Sequence, residues 1–118
     1  MEGLVLGRIV YFVFDAESAE EVNRCRRTLT PTIAERIAEA AWPPGAQRHI
    51  GNYMAAGDIC PAMVVRVESL TNVNLKVMLD GTDVYWATSV EFDPGKRHRS
   101  WHWMFEGQAA RYTPDRPA

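Results

Sequence analysis

The chain has 118 residues, 47% of them hydrophobic and 24% charged, with a formal net charge of −2, so it has the size of one domain whose single core needs neither a metal nor a disulfide staple. The slight acidic excess argues against a dedicated duplex-binding protein, whose affinity comes largely from basic side chains on phosphates. No apolar run approaches the roughly 20 residues of a membrane span, and no membrane partner is expected.

Gly7 to Phe14 is dense in β-branched and aromatic residues and reads as a strand. It is apolar at nearly every position from Ile9, so both of its faces are expected to be covered, by the rest of the fold or by a second chain. Asp15 or Ser18 then caps a helix, and Ser18-Ala-Glu-Glu21 has capping-box spacing. Val22, Cys25 and Leu29 form its apolar stripe, with Arg24, Arg26 and Arg27 facing mostly outward. Thr30-Pro31 has the chemistry of a fresh helix start, with threonine as cap and proline at the first position. That second helix, carrying Ile33 and Ile37, is expected to end near Ala41, because Trp42-Pro43-Pro44-Gly45 cannot continue it. Trp42 is expected to fold back onto the core.

Gln47 to Asp58 is a polar connector. The period then changes. Ala62 to Glu68 reads as a strand, and in Val73 to Leu79 the residues Val73, Leu75, Val77 and Leu79 alternate with polar or flexible neighbours. Asp80-Gly81-Thr82-Asp83 reads as a tight hairpin turn with Gly81 at positive φ, and Val84 to Phe92 as the returning strand. Asp93-Pro94-Gly95 is a further turn, Ser100 to Phe105 a last short strand, and the stretch from Gly107 a mobile tail. The expected architecture is α+β: residues 1–106 as one domain, with a small, strongly curved antiparallel sheet, an SH3-like barrel or meander, and one or two helices in the N-terminal half.

Cys25 and Cys60 could form one bridge. However, the apolar start at Leu4-Val5-Leu6 lies between Glu2 and Arg8, and no small-residue cleavage site follows, so no export signal is expected. Both cysteines are read as buried, reduced thiols in a cytoplasm.

Catalytic and metal patterns are thin. His98 and His102 are four apart, and Asp93, Cys60 and His49 could join them, but a structural zinc site normally needs two such close pairs. No metal and no cofactor are expected. Ser89, Ser100 and Cys60 lack a nucleophile-elbow glycine pattern. Asp80 and Asp83 suit a hairpin turn better than an acid–base pair. The strongest candidate is an aromatic and basic cluster. Tyr85, Trp86, Trp101 and Trp103 offer π-faces, and Lys96, Arg97 and Arg99 offer cations. His98, His102 and Ser89 add hydrogen-bonding groups. Arg66, in the middle of an apolar strand, needs an anionic partner, which could be Asp83, Glu68 or a ligand phosphate. Aromatic faces flanked by arginines suit a nucleotide base and its phosphates, although any one tryptophan is as well used filling a small barrel.

Gly57-Asp58 ahead of Pro61, Val64-Val65-Arg66-Val67, Leu79-Asp80-Gly81 with Asp83, Trp86-Ala87-Thr88-Ser89 and Trp101-His102-Trp103 together resemble a group of small, mostly uncharacterised bacteriophage accessory proteins. The resemblance covers about residues 50 to 104 and, weakly, the first strand and helix; the helix from Thr30 to Ala41 looks like an insertion. It implies a phage gene expressed in a bacterial cytoplasm and no defined activity. A strand with W-x-x-S followed by a short tryptophan strand is also similar to part of a group of phage anti-defence sponge proteins, small α+β chains that sequester nucleotide immune signals. This likeness covers those two strands alone and is an analogy.

The expectation is a non-enzymatic phage accessory protein that sequesters a small anionic aromatic ligand such as a nucleotide immune signal, and that forms a homo-oligomer. Its ligand-binding residues would be Arg66, Asp83, Tyr85, Trp86, Ser89, Arg97, His98, Arg99, Trp101 and His102. The alternatives are a protein-interaction module, as a virion component or an inhibitor of a host protein, and a small hydrolase using His98, His102 and a nearby carboxylate.

Overall fold

The computed structural model describes residues 1–38 and 52–111, with side chains at 1–27 and 52–110. The element order is β1 (Ile9–Val13), α1 (Ala16–Ala38), β2 (Ile59–Val67), β3 (Asn72–Met78), β4 (Val84–Phe92), β5 (Ser100–His102) and α2 (Gln108–Arg111). The strands form a closed barrel in the order β1-β2-β3-β4-β5. β1 pairs antiparallel with both β2 and β5, and a short parallel pairing of β4 with β5 completes the ring. The protein is therefore α+β with a strongly curved sheet, as the strand spacing anticipates.

The interior follows from alternation. Val73, Leu75 and Val77 of β3 are fully buried and Leu79 nearly so, matching the period-2 pattern. They meet Val10 and Phe12 of β1, Ala62 and Val64 of β2, Ala87 and Val90 of β4, and Trp101 of β5. Ala87 and Val90 both point inward although three positions separate them. A β-bulge between them, with Ser89 at φ 53°, inserts the extra residue that resets the alternation. The Ser89 backbone N–H donates to Asn74 Oδ1 at 2.9 Å, which fixes the bulge.

The apolar β1 needs no second chain. Val10, Phe12 and Val13 are buried within one molecule, and Ile9 and Tyr11 are half-buried.

Several local expectations are corrected. The helix cap is Asp15: the Ser18 backbone N–H donates to Asp15 Oδ1 at 2.8 Å, and the Asp15 N–H donates to Ser18 Oγ at 3.2 Å. The capping box is thus Asp15-x-x-Ser18, three residues upstream of the Ser18–Glu21 spacing. Thr30-Pro31 does not start a second helix, since α1 runs continuously from Ala16 to Ala38. Proline's fixed φ is helical, so it can sit in the run while removing one backbone donor. The expected helix end at Ala41, the fold-back of Trp42 and the metal candidate His49 lie outside the described residues.

Among the described side chains of α1, residues 16–27, the buried ones are Ser18, Ala19, Val22 and Arg26, while Cys25 is exposed; Leu29, Ile33 and Ile37 lie outside the described side chains. Arg26, expected outside, is 1% exposed. Its burial is possible because its guanidinium is fully engaged, as described below. Gly81 does not adopt positive φ; residues 79–83 connect β3 to β4, and a connection of that length closes without a primed turn. β2 begins at Ile59 rather than after Pro61, because Ile59 and Cys60 already pair with Val13 and Phe12. β5 ends at His102 rather than Phe105, because the chain from Trp103 leaves the sheet to build a separate wall.

Candidate functional site

That wall defines a recess beside the barrel. After β5, residues 103–107 turn back beside the barrel and are held by Gln108. Its buried side chain accepts from the Met104 N–H at 2.6 Å through Oε1 and donates to the Ile9 carbonyl at 2.7 Å through Nε2. Arg8 donates to the Gln108 carbonyl and lies 5.5 Å from the centre of the Trp103 ring. The first residues of the stretch expected as a mobile tail, Gln108–Arg111, are thus a helical turn whose Gln108 is bonded to the barrel.

Between this wall and the sheet lies a cleft of about 480 Å3. Aromatic rings line it: Tyr11 from β1, Phe92 from β4, and Trp103 and Phe105 from the returning segment. Its polar groups are Lys96, His102 and Glu106. Lys96 sits in the loop 93–99 at φ 61°, where its N–H donates to the Asp93 carbonyl at 3.0 Å. His102 is paired in register with Tyr11, and their ring centroids are 5.6 Å apart.

The His102 ring is buried and its Nδ1 has no hydrogen-bond partner among the described residues. Burial lowers its pKa first, and the Lys96 charge lowers it further against the opposing pull of Asp93. The imidazole is therefore kept neutral at pH 7. The sign for stability follows from linkage. Below the ordinary histidine value of 6.5, the unfolded chain binds a proton that the native state resists, so stability falls as pH drops from 6.5 toward the depressed folded value. In denaturant titrations between pH 7.5 and 5.5, the wild type is expected to lose stability that a His102→Phe variant keeps. Parallel pH curves for the two proteins would contradict this.

The candidate residues are not gathered into one cluster. Only His102 lines this cleft, joined there by Lys96 and Trp103 of the same aromatic and basic stretch. Trp101 is fully buried in the barrel, where Nε1 donates to the Thr71 carbonyl at 2.9 Å. Asp83 accepts a two-pronged bond from Arg26, with Nε and Nη2 each 2.9 Å from a carboxylate oxygen. The Arg26 guanidinium also donates to the carbonyls of Asn52 and Asp80. The Arg26 hydrogen bond holds the Asp83 carboxyl below the usual carboxylate range, outweighing desolvation.

Tyr85 and Arg99 line a smaller recess of about 160 Å3 together with Asp15, Glu17, Ser18 and Glu21. Three carboxylates beside one guanidinium make a poor seat for an anion. Burial, and then Glu21, push the Tyr85 phenol up. Arg99 donates to the Thr88 carbonyl at 2.8 Å.

Arg66 is exposed and its anionic partner is Glu68, at 2.9 Å. Arg97 lies 3.8 Å from Asp93 on the exposed loop, and His98 is exposed near Gly57. Ser89 forms the bulge, and Trp86 stands on the outer wall of the barrel.

Sequence reasoning missed Tyr11, Phe92 and Phe105 as neighbours of His102. The signal that could have found Tyr11 is its place on the outward parity of β1 between the inward Val10 and Phe12; the other two depend on how the chain returns after β5. Among the described residues no group of three histidine, cysteine, aspartate or glutamate side chains could hold a metal ion, and no helix is long and apolar enough to cross a membrane. The chain matches no protein-family model, no curated protein and no solved structure.

Proposed function

We propose that the protein is a non-enzymatic phage accessory protein that binds and sequesters a small anionic aromatic ligand, such as a nucleotide immune signal, in the cleft between β1, β5 and residues 103–107. The observation that carries this reading is the composition of the cleft: four aromatic side chains, one ammonium and one neutral imidazole around about 480 Å3. That volume is in the range of small-molecule sites, about 300–1,000 Å3. Tyr11, Trp103 and Phe105 supply stacking faces, Lys96 a charge for a phosphate or carboxylate, and His102 a fixed polar edge. Glu106 favours a ligand that also presents a hydrogen-bond donor, as an exocyclic amine does.

The site thus moves from the arginines of the sequence reading to Lys96 and His102. A hydrolase on His98 and His102 is the weaker alternative. Among the described residues, Nδ1 of His102 has no carboxylate of the kind that orients a catalytic imidazole. The strand order, with β5 returning to β1, supports an SH3-like barrel. The free thiols Cys25 and Cys60 are compatible with a bacterial cytoplasm.

The test is native mass spectrometry of protein purified from the cells that produce it, followed by calorimetric titration with a panel of linear and cyclic nucleotides. An adduct of a few hundred daltons, lost on denaturation, is expected. Lys96→Ala is expected to weaken the titrated affinity about tenfold, equivalent to ~1.4 kcal/mol. His102→Phe is expected to weaken it while leaving the fold as stable or more so, since an unpaired buried polar atom costs about 1–3 kcal/mol. An apo mass from cells shown to contain the signal, with no heat from any nucleotide, would reject the reading.

A further inference from the structure

The outer wall of β2, β3 and β4 carries side chains that the cleft does not use. Cross-strand register sets Met63 beside Lys76 and Lys76 beside Trp86, and the adjoining row sets Met78 beside Val84. All five are exposed, Trp86 to 58%. With Val65, these apolar groups expose an area on the order of several hundred Å2, at the upper end of what a solitary monomer shows.

The ammonium of Lys76 lies 5.9 Å from the centre of the Trp86 ring. Among the described residues it has no carboxylate partner, whereas Arg66 at the margin is matched by Glu68. The strands belong to a closed ring, so no edge is open to an added strand. A partner has to be recognised by side chains.

We infer that this wall docks a segment of a partner protein in which a carboxylate is flanked by apolar side chains. The carboxylate meets Lys76, and the apolar groups cover Trp86, Met63 and Val84. Charge complementarity selects this occupant. A second copy on a two-fold axis would bring another lysine to the centre, while the marginal carboxylate Glu68 is already engaged by Arg66 and Asn74, and burying unpaired like charges is costly. A nucleic acid would call for several cations and successive stacking rings, and the centre of the wall offers one lysine and one ring, Trp86.

The test installs the photo-crosslinker p-benzoylphenylalanine in place of Trp86 in the full chain. Irradiation is done in the producing cells, and the joined peptide is mapped. The expected product is a peptide of another protein with Asp or Glu within a few residues of the apolar side chain that reacted. Adding Lys76→Glu to the same protein should cut its yield about tenfold or more, as loss of an interfacial charge pair does. Both substituted positions are exposed, and an unchanged melting curve confirms the fold. Crosslinking to a second copy, to nucleic acid or to a peptide without a carboxylate would overturn the inference. So would a yield indifferent to Lys76→Glu, or no adduct above the unirradiated control.

Discussion

Asp83→Asn is expected to destabilise the protein by about 3 kcal/mol, the lower part of the range for breaking a buried ion pair from one side. The reason is what remains behind. Arg26 is 1% exposed, and its guanidinium reaches two carbonyls besides the Asp83 carboxylate. Asparagine keeps the shape and removes the carboxylate charge that Asp83 sets 2.9 Å from that buried cation. The carboxylate itself is one-third exposed, so water softens the loss, and the lower end of the range is the appropriate one. The pair joins α1 to the β3–β4 connection, so α1 should loosen first.

The pH dependence has a definite sign. Asp83 is held below the carboxylate value of 3.8 in the native state, so its contribution is complete above that value. It is lost as pH falls through the depressed folded value. Urea unfolding at pH 7 and pH 3 checks both statements: the wild type should lose stability between them through this pair, and Asp83→Asn should lose less. If Asp83 were instead a ligand residue on a tolerant surface, the variant would melt like the wild type.

Trp101→Ala is expected to cost about 3–5 kcal/mol, as large-to-small changes of buried aromatics do, and against a typical domain stability of about 5–15 kcal/mol this leaves a marginal fold. Trp101 closes the barrel at its narrowest pairing, where β5 joins β4 and β1. Its ring lies 4.8 Å from Phe92 and 5.0 Å from Trp103, the latter nearly perpendicular. Trp101→Phe keeps most of the packing and removes the indole bond to the Thr71 carbonyl, which still accepts from the Phe92 N–H at 3.2 Å, at a cost of about 0.5–1.5 kcal/mol. Thermal melts of the two variants should rank accordingly. A Trp101→Phe variant with unchanged stability and lost ligand binding would return Trp101 to the role of an exposed stacking face.

Both residues belonged to the aromatic and charged cluster legible in the last third of the chain. The cluster is real in sequence and dispersed in space. A barrel this small turns successive residues of one strand to opposite walls, so Trp86 stands outside while Ala87 lies inside. Near neighbours in sequence therefore serve the core, the outer wall and the cleft separately.

What the chain determined on its own was the local structure that a few adjacent residues control. The bounds of β4, the inward parity of Val73, Leu75, Val77 and Leu79, and a helix start at Asp15 or Ser18 follow from alternation and capping chemistry. The tertiary structure decided the rest. The bulge at Ser89 reverses the parity of β4, because Asn74 on the neighbouring strand captures its N–H. Arg26 turns inward because Asp83, 57 residues away, waits at the barrel end. His102 faces a cleft because Gln108 bonds the returning segment to Ile9, 99 residues distant. Such pairings have no periodicity within a short window; they exist only after ring closure has brought distant segments within hydrogen-bond reach.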